Sequence, residues 1–317
     1  MKIIRVILVL CFWFITGQAW AVEDWYWKGG VGLLAKGYND SMKLHDLTGI
    51  GGMLSGDYME RGGFVASYNV NHINYQSDIS SDPKGIDETI LMLSGRLNFH
   101  PDGLSGKVTL RLDSYSEIDD MHYRVTGSGP SKKIFTIRDS VVGVNPIVSF
   151  LNYAKTFYAD VGYAYTSYRS DDTAVDDVNV SQWTPTLGFG LNRSYDWLQL
   201  RAYLISLSAS NRVAGNDLTS ALEVKWSHWF TADVPLNLHS ARLAAVVGKR
   251  IYAVDSDAGS MFSMPDLQTG AISIAAEWRL GDQVSAVLQG GYESYQELLS
   301  NDRYNSVYMY VSVSQSW

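Results

Sequence analysis

The sequence predicts an all-β chain that closes into a transmembrane, antiparallel, up-and-down barrel of about 14 strands, with 12 as the alternative count. Three observations carry this prediction. Along the last stretch, Val307, Met309, Val311, Val313 and Trp317 fall on one parity and Tyr308, Tyr310, Ser312, Ser314 and Ser316 on the other, the period of two that marks a strand with unlike faces. The same alternation recurs throughout in segments long enough to cross a membrane as tilted strands of ~9–11 residues, whereas past residue 21 there is no run of the ~20 apolar residues a membrane helix needs. The connections between segments alternate between short and long, as they do in membrane barrels.

The chain begins with a leader. Lys2 and Arg5 flank the start of an apolar run from Ile3 to Ile15, and Ala19-Trp20-Ala21 follows. A basic start, a short apolar core and a small-x-small site define a secretory signal, so cleavage is expected after Ala21, leaving residues 22–317 as a single domain. The one cysteine, Cys11, lies in the leader behind Leu8-Val9-Leu10, which lacks the small residue expected ahead of a lipidated cysteine. An exported chain without disulfides must draw its stability from a large hydrogen-bonded framework.

Composition agrees. The chain carries 25 basic and 33 acidic residues, a formal charge of −8; removing Lys2 and Arg5 makes it −10. Aromatic residues are abundant, with 20 Tyr and 10 Trp against 7 Pro, which suits strands and interfacial girdles. A mean hydropathy of −0.08 argues against a helical membrane protein and leaves alternation to decide between a soluble enzyme and a barrel.

The first strand is expected over 25–38, where Trp25, Trp27, Val31, Leu33 and Ala35 share one face and Tyr26, Lys28, Lys36 and Tyr38 the other. Others follow over 48–58, 63–76, 87–99, 105–115, 134–148, 155–169, 179–192, 196–209, 217–230, 240–252, 268–281, 283–296 and 304–317. Gly49, Gly51, Gly52 and Pro146 dilute the pattern in two of them, hence the twelve-strand alternative. Long outer loops are expected at 77–86, 116–133, 170–178, 211–216 and 253–267.

The terminus resembles the assembly signal of Gram-negative outer-membrane β-barrel proteins, an aromatic last residue, Trp317, behind apolar Val313 and Val311, with Gln315 departing from the pattern. At the level of architecture the whole mature chain resembles the monomeric porin or channel kind. The resemblance implies a cell outer-membrane location, both termini periplasmic, and contact with outer-membrane lipid, lipopolysaccharide and the barrel assembly machinery. No nucleic-acid partner is implied.

Parity then assigns an inner face. Lys28, Lys36, Arg96, Lys107, Arg111, Arg201, Lys225, Arg242, Arg250 and Arg279 alternate with the lipid-facing residues, against the fewer acids Asp113, Asp160, Glu223, Glu277 and Glu293. Asp78, Asp82, Glu117, Asp119, Asp120, Asp171, Asp172, Asp176, Asp177, Asp255, Asp257 and Asp266 fall in the expected outer loops. A basic lining favours anions, and Tyr26, Tyr38, Tyr158, Tyr168, Tyr203, Tyr308 and Tyr310 share its parity. The expectation is a channel for small hydrophilic solutes, anionic or saccharide, up to acidic oligosaccharides. Inner charges that pair to fill the barrel are an equally open reading. The alternative function is a solitary barrel of a surface export system for polysaccharide or lipoprotein, or an autotransporter-like barrel, although only Val22 to Asp24 separate the cleavage site from the first strand.

No enzyme is expected, a hydrolase being the least favoured reading. Asn71-His72-Ile73-Asn74 superficially resembles the motif of outer-membrane phospholipases, but Asn74 stands where the nucleophilic serine belongs, and Asp119-Asp120-Met121-His122 resembles the acids and histidine of barrel proteases over a few residues only. His45, His100, His228 and His239 have no partner by spacing. The acidic loop at 171–177 lacks the glycine and glutamate of a calcium loop, so no metal and no cofactor is expected.

Overall fold

The computed structural model describes residues 25–317 apart from 42, 59–60, 76–83, 126–132, 174, 209–214, 232–233, 235–236, 258–259, 262–265 and 299–300. The leader and cleavage site expected from the sequence lie outside the described residues, as do Asp78 and Asp82.

Fourteen strands form the wall: β1 (Trp25–Asn39), β2 (Leu44–Tyr58), β3 (Gly62–Tyr75), β4 (Gly85–Phe99), β5 (Gly106–Val125), β6 (Lys133–Asn152), β7 (Phe157–Ser170), β8 (Val178–Leu191), β9 (Asp196–Leu207), β10 (Leu218–Trp229), β11 (Leu238–Arg250), β14 (Leu267–Arg279), β15 (Val284–Gln296) and β16 (Arg303–Ser316). Two short strands, β12 (Val254–Asp255) and β13 (Ser260–Met261), pair only with each other, so β11 pairs with β14, and β1 meets β16 to close the ring. Closure is completed by Trp27 and Trp317, which exchange backbone hydrogen bonds of 3.1 and 3.0 Å. Among the described residues no helix is long and apolar enough to cross a membrane; a closed barrel satisfies its backbone between strands instead.

Both diluted segments are strands. Pro146 keeps its place opposite Leu112 of β5, while toward β7 the pairing lapses between Val144 and Ile147; the missing N–H faces that side. Pro185 does the same on β8, paired with Val161 but leaving a lapse toward β9. The largest departure from expectation is the β5–β6 hairpin, in which each strand runs for 20 residues. Residues 116–125, expected in an outer loop, continue the strand.

The outer wall is apolar. Leu33, Leu54, Leu93, Leu97, Leu112, Val142, Leu204, Leu222, Ile274 and Val311 are exposed on one parity. At the end bearing both termini and the short turns, hereafter the turn end, rings cluster outside the wall: Trp25 packs against Trp27, Tyr58 and Phe64 at 5.4–6.0 Å, and Phe157 against Phe150 and Phe189 at 6.5 and 5.9 Å. An apolar band edged by aromatic rings is the pattern of a wall that meets lipid.

Candidate functional site

The inner face differs sharply between the two ends of the barrel. Toward the loop end its described residues form two buried clusters. Tyr115, Val141, Tyr168, Val178, Val180, Tyr203 and Ile205 form one buried cluster, and Tyr38, Leu44, Leu47, Ile73, Tyr295 and Tyr304 a second. Tyr295 stacks on Tyr304 at 5.1 Å.

The first cluster is completed by a loop that turns inward. Near the end of β11 the register with β14 shifts between Val247 and Arg250, a bulge of the kind that bends a strand. Gly248 makes it possible: its φ is +114°, and a Cβ there would lie 2.5 Å from the Ser220 carbonyl oxygen. Beyond it Tyr252 takes a left-handed backbone, φ 50°, uncommon for a bulky residue, and its ring packs on Tyr168 at 4.5 Å. Ile251, Tyr252, Ala253 and Val254 are all buried.

Wall side chains grip this segment. Gln182 of β8 donates to the Val254 carbonyl (2.7 Å) and accepts from the Val254 N–H (3.0 Å). Arg111 Nη2 of β5 donates to the Ser256 carbonyl at 2.9 Å. Asp257 accepts from Arg201 Nη2 at 3.0 Å and from Lys225 Nζ at 2.7 Å. Asp255 lies 3.8 Å from Arg201 Nη1. The expectation that Asp255 and Asp257 belong to an outward loop is therefore corrected: a bulge and a left-handed residue send them inside.

Below the loop, toward the turn end, lies a chamber of ≈680 Å³ roofed by Ser256 and Asp257. Its wall presents Lys28, Ser67, Asn69, Ser94, Arg96, Trp197, Gln199, Ser227, Arg242, Tyr310, Ser312 and Ser314. A smaller cavity of ≈420 Å³ adjoins it through Trp197, Gln199 and Asp257, and reaches Tyr158 and Arg201. Glycines on the inner parity give the aromatic rings room to lie flat. A Cβ on Gly32 would meet the Tyr310 ring at 2.7 Å, and one on Gly291 the Tyr308 ring at 2.4 Å.

All ten basic residues singled out from the sequence stand on the parity opposite the exposed apolar ones, but their surroundings differ. Lys28, Arg96, Arg111, Lys225 and Arg242 line the chamber. Lys36 is paired with Glu293 at 2.6 Å inside the second packed cluster, and Arg250 is buried, bonded to Gln268 at 2.5 and 2.8 Å and lying over the Tyr203 ring; neither faces the chamber. Lys107 and Arg279 are near the turn-end rim, where Arg279 meets His239 at 3.1 Å. Arg96 pairs with Asp57, Arg111 with Asp113 at 2.7 Å, and Arg201 lies 3.7 Å from Glu223. Lys28 and Arg242 carry no ion pair among the described residues.

The interior is also more acidic than parity suggested. Glu117 and Asp119 continue β5 and are buried inside, with Glu88 of β4 and Asp139 of β6 beside them on the inner face. Glu88, Glu117 and Asp119 bring carboxylate oxygens within 4.8 Å of one another. The count that made the lumen basic is thus corrected, because four acids assigned to loops (Glu117, Asp119, Asp255 and Asp257) and three missed ones (Glu88, Asp139 and Asp57) stand inside.

The histidines find partners, all but His45 on a neighbouring strand or turn. His72 and His122 both contact Asp87, at 2.6 and 2.9 Å, on the outer face. His45 meets Asp46 at 2.5 Å, His228 meets Asp196 at 2.7 Å, and His100 stacks on Tyr153.

No protein-family model and no curated protein matches the chain. Solved structures do. The toluene transporter TodX of Pseudomonas putida superposes with a TM-score of 0.56 over 93% of this chain and 90% of its own, at 10% identity. A Pseudomonas aeruginosa FadL homologue gives 0.51 over 93% and 90%, at 9% identity, and the monoaromatic hydrocarbon channel CymD gives 0.51 over 93% and 88%, at 6% identity. What this chain shares with them is the fold, a closed barrel of the outer-membrane type.

Proposed function

We propose that this chain is an outer-membrane channel barrel for small hydrophilic solutes that carry an anionic group, held closed by its inserted loop. The observation that carries the reading is the turn-end chamber. Five cations line it against one lining carboxylate, Asp257, with hydroxyl and amide groups among them and apolar side chains such as Met53, Val65, Met92 and Val287 filling the rest of the wall. Its ≈680 Å³ is within the usual range for small-molecule sites, about 300–1,000 Å³. A cationic lining enclosed by a low-dielectric wall concentrates anions. The apolar outer wall with its turn-end girdle supports the membrane setting; in this reading both termini and the turn end of the chamber face the periplasm.

A second reading has an observation of its own. The loop-end half of the lumen is aromatic and aliphatic, and TodX and CymD are described as carrying toluene and monoaromatic hydrocarbons. Uptake into vesicles reconstituted with the protein separates the two. The proposal predicts that glucuronate crosses faster than glucose and that toluene gains nothing over protein-free vesicles. If toluene transfer is accelerated and neither sugar crosses, the apolar reading replaces it.

A further inference from the structure

Arg201 is held before any solute arrives. Its Nε donates to Thr186 Oγ1 at 3.1 Å, its side chain is 6% exposed, and that of Lys225 is 12% exposed. Between them they take the two oxygens of one carboxylate, Oδ1 of Asp257 on Arg201 and Oδ2 on Lys225. Such a fixed pair of donors is a carboxylate receptor. The occupant is reachable: the Asp257 side chain keeps 38% of its surface open and borders both cavities.

We infer that Arg201 and Lys225 form a carboxylate subsite which the chain's own Asp257 fills in the closed barrel, and that a small carboxylate solute opens the lumen by displacing it. The inference rests on the channel reading above and adds to it how closure and solute are coupled. Exchange of one carboxylate for another conserves the charge beside Glu223 and Asp255, which lie 3.7 and 3.8 Å from Arg201 in the closed barrel. A neutral solute cannot make the exchange on equal terms, since it offers no charged acceptor to replace the two charge-assisted bonds that Asp257 gives up. Once Asp257 lets go, Ser256 retains one bond from Arg111 and Val254 its two from Gln182, a small set for an incoming anion to work against.

Single-channel recording of the refolded protein at fixed ionic strength tests this. Glucuronate on the turn-end side should raise the open probability of the wild type by about tenfold or more, the ratio that one charge-assisted bond supports, and glucose should leave it unchanged. Asp257→Asn should open without glucuronate and lose the response. An equal response to glucose and glucuronate, or an Asp257→Asn barrel as closed as the wild type, overturns the subsite. A further variant, with residues 254–261 replaced by a short Gly–Ser linker, tells the two levels apart. If it conducts while Asp257→Asn stays closed, the subsite fails and the channel reading stands; if it is folded and silent, the channel reading fails too.

Discussion

The two halves of the lumen belong to the same fourteen strands and share one hydrogen-bond framework, yet one is a protein core and the other a water-accessible chamber. Toward the loop end the inner parity carries Tyr115, Tyr168, Tyr203 and Ile205; toward the turn end it carries Lys28, Ser67, Ser94, Gln199 and Ser314. Because a barrel satisfies its backbone by closure alone, the interior is free to be either, and the inward side chains decide. The difference between the halves also sets where substitutions are felt.

The largest contrast should come from truncating one ring in each half. Tyr203 is fully buried, so Tyr203→Ala should cost about 3–5 kcal/mol, whereas Tyr310→Ala in the chamber should cost under ~1 kcal/mol. Denaturant unfolding in detergent micelles measures both, and equal losses would break the comparison. At the seam between the halves, Arg201→Ala leaves Glu223, Asp255 and Asp257 facing one another and should cost roughly 3 kcal/mol in the same assay. Lys28→Glu combined with Arg242→Glu should barely move stability, within about 0.5 kcal/mol, but should shift the reversal potential in a salt gradient toward cations; an unmoved potential would take the two residues off the solute path.

The smallest effect is with pH. Asp257 belongs to the inserted loop, and although partial burial works the other way, Arg201 and Lys225 hold its carboxyl below the usual carboxylate range. A depressed carboxyl contributes its stabilisation above the unfolded value of about 3.9 and loses it only as pH falls through the lower folded value. Open probability should therefore stay flat from pH 8 to 5 and rise only below about pH 4. A rise centred near the histidine range, about 6.5, would move the latch from Asp257 to an imidazole.

Strand number and facing were legible because each depends on a period of two that needs no knowledge of neighbours, and the up-and-down order because short and long connections alternate. Even Pro146, which blurred its segment, left the parity of Val142, Val144 and Val148 intact. The inward loop was not legible: Asp255 and Asp257 look like any solvated acids, and their course depends on the Gly248 bulge, the Tyr252 backbone and a bed of rings from three other strands, Tyr115, Tyr168 and Tyr203. Glu117 and Asp119 were misplaced because β5 outruns the apolar band, so its upper part is polar on both parities and reads as loop. The histidine partners were readable in principle. Extending the ladder from each turn sets His72 opposite Asp87 and His228 opposite Asp196, a step that spacing along the chain misses.

The comparison of the two halves is most directly tested by the reactivity of single cysteines. With Cys11, the chain's one cysteine, replaced by serine, each introduced cysteine is the sole thiol. Cysteines at Ser67, Ser312 and Ser314, which line the chamber and are partly exposed, should react with a charged, water-soluble thiol reagent supplied from the turn end, whereas those at the buried Ala164 and Val180 should react at least about 100-fold more slowly, the factor set by a local opening of ~3 kcal/mol. Equal rates in both sets would mean that the lumen is not divided, and the chamber, its roof and the latch would fall together.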